Sequence, residues 1–227
     1  MDKPPRRIKI VDSPPEGVSG EVRDVSADVV EAALLAQLEA AKDDPRAAMW
    51  ELAQFYKLAG KLDLAMAHFR TILGRTENVD AAAQILMAMG QTAERSDDFE
   101  LAERFYREAL LLDAGSEHTR YFIRNNLGYS LNQLGMHLEA EPFCRQAIEI
   151  EPRRANAHKN LGLSLQGQGR FREAGSAFVA AMRADPRDPR ARRHLEELVA
   201  TQPGLADEFR EAIAETRGRR GYPVESG

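Results

Sequence analysis

Two stretches decide the fold: Asn126-Leu-Gly-Tyr-Ser-Leu-Asn-Gln-Leu-Gly135 and Asn160-Leu-Gly-Leu-Ser-Leu-Gln-Gly-Gln-Gly169. They share Asn, Leu, Gly, Ser, Leu and the closing Gly, and they lie 34 residues apart. Ala140 and Ala174 follow at the same spacing, and Ile150-Glu-Pro152 and Ala184-Asp-Pro186 close the two units. Apolar residues three and four apart on either side of Gly135 and Gly169 predict a helix, a turn and a second helix in each unit.

Working outward, two diverged units precede these. One carries Leu52-Ala53, Tyr56, Gly60, Ala65, Phe69 and Ile72; the other carries Met89-Gly90, Ala93, Phe99, Ala102, Tyr106 and Ala109. Ala65, Ala102, Ala140 and Ala174 are separated by 37, 38 and 34 residues, the surplus being about one helical turn or a longer connection. Gly90, Gly128 and Gly162, with Ala53 in the first unit, stand where the two helices of a pair should approach too closely for a larger side chain. Leu52, Met89, Leu127 and Leu161, with Phe69, Tyr106, Cys144 and Phe178, should fill the seams. Pro152 and Pro186 stop one helix and orient the next.

The pattern resembles the tetratricopeptide repeat (TPR) family, a helix–turn–helix unit of 34 residues, over about residues 46–188. The tryptophan place of that family is not kept: Met49, Leu86, Arg124 and His158 occupy it, and Trp50 lies one residue on. The resemblance implies an all-α fold, an α-solenoid of stacked helix pairs wound into a right-handed superhelix with a concave inner surface. A repeat of this kind cannot bury its apolar face alone, so the ends need caps.

The expected organisation is one quasi-linear domain. It comprises a disordered or extended arm (1–24), a capping helix (25–44) with Ser26 at its start, and four repeats (about 46–79, 83–116, 121–154 and 155–188). Capping helices (189–217) and a flexible tail (218–227) follow. The arm contains Pro4-Pro5, Pro14-Pro15, Gly17 and Gly20 around the run Ile8-Lys9-Ile10-Val11, which could pair with the edge of a partner or lie in a groove.

Composition agrees with helices. Apolar residues make up 43%, charged residues 30% and aromatics only 7%, which argues against an all-β protein. No apolar run is long enough to cross a membrane, and the charged N-terminus shows no secretory signal. A lone cysteine, Cys144, excludes an internal disulfide framework, and a reduced, cytoplasmic location is the expectation. The net charge of −5 conceals a gradient: residues 1–151 carry 17 basic against 26 acidic residues, and residues 152–227 carry 14 against 10. A solvated, arginine-rich surface is the plainer account of that gradient; steering of partners is the other.

No catalytic motif is present: there is no GxSxG, no P-loop, no HExxH and no GxGxxG with its following acid. His137 and Cys144 share a helix face without further ligands at useful spacing. No enzyme activity and no cofactor or metal are therefore expected. Arg217, Arg219 and Arg220 lack interleaved aromatics in an acidic protein, so no nucleic acid is expected either.

The informative residues are those expected on the inner face of each first helix. The first two units offer Trp50, Gln54 and Lys57, then Gln84, Met87, Gln91 and Glu94. The third offers Phe122, Asn125, Asn126, Tyr129, Asn132 and Gln133. The fourth offers Asn156, Lys159, Asn160, Leu163 and Gln166, and the closing helix Arg190, Arg193, His194 and Glu197. An asparagine amide donates to a carbonyl and accepts from an N–H at once, so Asn126 and Asn160 are candidates to hold a peptide backbone; a repeat-surface role is the alternative. Tyr129, Leu163 and Phe122 would add packing.

The family resemblance implies peptide or protein binding in the groove, as an adaptor or assembly scaffold. It also suggests the carboxylate clamp of some chaperone-binding members. Asn160 and Arg190 fall on clamp-like places, but Asn125, Tyr129 and His194 depart from the pattern, so a full clamp is not expected. A looser preference for acidic segments or a C-terminal carboxylate follows from Lys159, Arg190 and Arg193. The competing reading is a homo-oligomer, formed through the groove, a capping helix or the arm.

Overall fold

Alanine- and leucine-rich segments with apolar side chains three and four apart form helices that bury one stripe each. The structure, a computed structural model, describes residues 7–11, 22–113 and 115–218. At its start β1 (Arg7–Val11) pairs antiparallel with β2 (Val22–Ser26), Ile8 opposite Val25. The Ile8–Val11 run is thus extended, and one of its edges is already taken by this chain. The prolines and glycines expected to break the arm, and the tail from Arg219 onward, lie outside the described residues, as does the side chain of Arg217.

Eleven α-helices follow among the described residues: α1 (Ala27–Ala40), α2 (Arg46–Ala59), α3 (Leu62–Leu73), α4 (Val79–Glu94), α5 (Phe99–Leu111) and α6 (Glu117–Gln133), then α7 (His137–Ile150), α8 (Ala155–Gly167), α9 (Phe171–Ala184), α10 (Pro189–Thr201) and α11 (Ala206–Gly218). Ser26 stands at the start of α1, but its side chain makes no capping bond. Asp98, Ser116 and Asp188 do cap α5, α6 and α10, each accepting from a backbone N–H in the first turn. No helix among the described residues is long and apolar enough to cross a membrane.

The described residues fall into two compact units. One runs to Asn78 and includes Arg95–Asp97; the other holds the rest. In the first, α2 and α3 close on Leu52, Ala53, Ala65 and Phe69, all without solvent exposure. Gly60 turns the chain between them in the left-handed region, at φ 78°. Trp50 meets the Phe69 ring edge-on at 5.4 Å. Helix α1 packs on α2 with an ion pair from Glu31 to Lys61, yet none of its own residues is buried.

In the second unit, α4/α5, α6/α7 and α8/α9 form three antiparallel pairs, and α10 and α11 follow. The glycines at the crossings have a measurable reason. A Cβ on Gly90 would stand 2.5 Å from the Tyr106 ring, one on Gly128 2.6 Å from the Cys144 sulfur, and one on Gly162 2.4 Å from the Phe178 ring. Helix α4 touches α6 and α6 touches α8, whereas α5, α7 and α9 make no comparable contact with one another. First helices crowd while second helices fan out, so within this unit the first-helix side is the inside of the bend.

Candidate binding face

The inner face of the second unit is polar, but its polar groups differ in what they face. At its centre asparagines bond to one another. The Asn125 amide donates to Asn126 Oδ1 at 3.0 Å. Across the repeat boundary, Asn160 Nδ2 donates to Asn125 Oδ1 at 3.1 Å and to its carbonyl at 3.3 Å. Asn132 Nδ2 donates to the Asn160 carbonyl at 2.9 Å, and its Oδ1 lies 3.1 Å from His137 Nδ1. Asn160 is only 2% exposed. The amide expected to hold a peptide backbone therefore ties α6 to α8. Its Oδ1 is left without a partner, an expensive arrangement for a buried acceptor. Asn126 stays half-buried on the same seam.

The residues expected to bear positive charge divide in the same way. Arg190 donates to Asp188 at 2.6–2.9 Å and to Asn156 Oδ1 at 3.1 Å, pinning α10 to α8. The Arg190 guanidinium in turn holds the Asp188 carboxyl below its ordinary pKa. His194 stacks on Phe178 with ring centroids 5.5 Å apart, and burial lowers its imidazole pKa. Arg193 is exposed and makes no ion pair with the described residues.

Lys159 is different. Its side chain is 8% exposed, its ammonium lies 6.0 Å from the centre of the Tyr129 ring, and no described carboxylate is within ion-pair distance. Burial, then repulsion from Arg190, lowers its pKa below the usual lysine value. Tyr129 is held from its other side by Phe99, edge-on at 6.0 Å. Leu163 is half-buried against the core of the fourth repeat. Phe122 sits under the Arg154 guanidinium at 4.9 Å and against His118 at 4.7 Å, so its ring faces its own neighbours.

One residue carries more than its place in the sequence suggests. Glu94, at the end of α4, receives a hydrogen bond from the Ser130 hydroxyl at 3.1 Å and lies beside the Tyr106 hydroxyl. It makes no ion pair with the described residues, and burial raises its carboxyl pKa to about 7. The available signal was an acid standing where the next two repeats carry the uncharged Asn132 and Gln166. No group of His, Cys, Asp and Glu side chains suited to a metal ion occurs among the described residues.

With the geometry in place, comparison with known proteins is direct. The tetratricopeptide repeat model matches residues 83–115 and 123–154. Those two stretches are tetratricopeptide repeats. It is 32% identical over 106 residues to small glutamine-rich tetratricopeptide repeat-containing protein 2 of Mycosarcoma maydis, covering 47% of this chain and 29% of that protein. It is 27% identical over 186 residues to human tetratricopeptide repeat protein 7B, covering 78% of this chain and 22% of that one. The match thus spans less than a third of either relative. Among solved structures, MamA of Desulfovibrio magneticus RS-1 superposes with a TM-score of 0.62 at 19% identity, over 78% of this chain and 97% of that one. YrrB, described as a TPR protein with an unusual peptide-binding site, gives 0.61 at 20% identity, over 84% and 95%. Both likenesses establish the TPR solenoid fold.

Proposed function

We propose that this TPR protein is a non-catalytic binding module whose second unit holds an extended protein segment along the inner face of α4, α6 and α8. An acidic group of that segment rests at Lys159. The observation that carries this reading is the buried Lys159 ammonium, which has no carboxylate within ion-pair distance among the described residues and is repelled by Arg190. An ammonium withdrawn from water without a counter-ion is costly, and an incoming carboxylate relieves that cost. Tyr129 and Leu163 supply apolar contact beside it, and Arg193 supplies a second cation at the rim. The asparagines form the floor between α6 and α8. The peptide-binding site of YrrB supports the assignment by likeness of fold. The module would serve as an adaptor or assembly scaffold.

The test is fluorescence anisotropy on the full chain with labelled pools of short acidic and short basic peptides. Preference for the acidic pool, lost in Lys159→Met with helicity intact, supports the reading. Equal binding of both pools, or an unchanged preference in the variant, rejects it.

A second reading rests on α1. Val29 is 59% and Leu35 41% exposed, and no residue of this largely apolar helix is buried. Self-association through α1 predicts a dimer or larger species by light scattering that Val29→Glu with Leu35→Glu dissociates. A monomer in both cases removes it.

A further inference from the structure

We infer that the Glu94 recess is a subsite for a cation, a lysine ammonium or arginine guanidinium, carried by the same segment whose acidic group rests at Lys159. This deepens the groove reading and depends on it.

Glu94 and Lys159 lie on first helices of the same unit, on either side of α6. Each is a charge withdrawn from water without an opposite charge within ion-pair distance among the described residues. The groups facing Glu94 are neutral: the Ser130 hydroxyl from α6 and the Tyr106 hydroxyl from α5. Hydroxyls stabilise a carboxylate by hydrogen bonding, but they do not supply the positive charge that offsets its burial. The arrangement mirrors that of Lys159, which has an aromatic face and no carboxylate within ion-pair distance among the described residues.

Glu94 bonds to Ser130 and Lys159 lies against Tyr129, consecutive residues of α6, so one short segment can reach both groups. The opposite signs also set direction. A segment laid the other way would bring its acid to Glu94 and its base to Lys159, and like charges would meet at both ends. Arrival of the cation favours loss of the Glu94 proton. Affinity for a lysine-bearing segment therefore rises as pH increases to about 7 and levels above it.

The experiment uses the full chain and arrays of short peptides blocked at both ends. Each peptide carries one lysine and one glutamate, in both orders and at graded separations. Wild type is expected to favour one order, at one short separation, by about tenfold or more. Glu94→Gln is expected to keep the dependence on glutamate and lose both the lysine dependence and the order. The pH dependence of lysine-peptide binding should disappear with them. If Glu94→Gln retains the lysine preference and the order while Lys159→Met still abolishes the glutamate preference, the cation subsite is overturned and the groove reading stands. If Lys159→Met changes nothing, or no peptide is retained, both are overturned.

Discussion

The polar stripe on the inner face contains two kinds of region. Along the α6–α8 seam, Asn125, Asn126, Asn132 and Asn160 bond to one another or to backbone, so the seam carries no net charge and leaves one acceptor over. At its flanks Glu94 and Lys159 are each enclosed without an ion-pair partner among the described residues. The contrast separates polar groups that hold the repeats in register from polar groups that await a ligand. Repeated asparagines suggest repeated function. Here the repetition builds the floor, and the unrepeated charges mark the site.

Five substitutions can break or sharpen this contrast. The largest effect belongs to Glu94→Gln. Folding raises the Glu94 pKa from 4.5 to about 7, so the native state holds this proton across a window where the unfolded chain releases it. Stability therefore falls as pH rises from 4.5 towards 7, by up to about 3 kcal/mol. Glu94→Gln should lack that fall. Its stability advantage over wild type, from urea unfolding, should be larger at pH 8 than at pH 4.5 by up to about 3 kcal/mol; a constant difference would show that Glu94 is solvated like an ordinary surface acid.

Next comes the pair Asn160→Ala and Asn126→Ala. The first strips the donor from two Asn125 oxygens at a buried seam and should cost about 2 kcal/mol. The second removes one half-buried acceptor and should cost about half that. Equal costs in urea unfolding would erase the distinction between the two sites. It also follows that Asn160→Ala is unsuited as a pure binding variant, because it loosens α6 against α8.

Asp188→Ala should cost about 1 kcal/mol. It removes the cap of α10 and the partner of Arg190, which then becomes free for a ligand. Weaker binding of acidic peptides in this variant would contradict the view that Asp188 neutralises Arg190. The smallest effect on stability is that of Lys159→Met, expected to be neutral or stabilising by under about 1 kcal/mol, since an uncompensated ammonium is replaced by a side chain of similar length. A loss of more than this in thermal unfolding would mean that Lys159 holds the fold together.

How much of this was legible in the sequence follows from the range of each cause. Gly90, Gly128 and Gly162 could be placed at helix crossings because the 34-residue register brings them opposite Tyr106, Cys144 and Phe178. The turns at Gly60, Gly135 and Gly169 were legible because a left-handed residue between two helices favours glycine; Asp97 takes the same conformation in the second repeat. The burial of Asn160 was not legible, since it depends on Asn125, 35 residues earlier and itself only one of many polar side chains on its helix. The same is true of Arg190, whose charge is neutralised by the very residue that caps its helix. Glu94 depends on α5 and α6 together, and no single helix pattern contains that. The pairing of β1 with β2 joins two short segments of mixed polarity, a weak signal in any chain.

The central claim is that a ligand lies on the first-helix face of the second unit. Chemical-shift mapping on the isotopically labelled full chain, titrated with the best peptide from the arrays, tests it most directly. The account predicts perturbations concentrated at Glu94, Tyr129, Lys159, Leu163 and Arg193. Perturbations confined to α1, or to the outer surfaces of α5, α7 and α9, would contradict it.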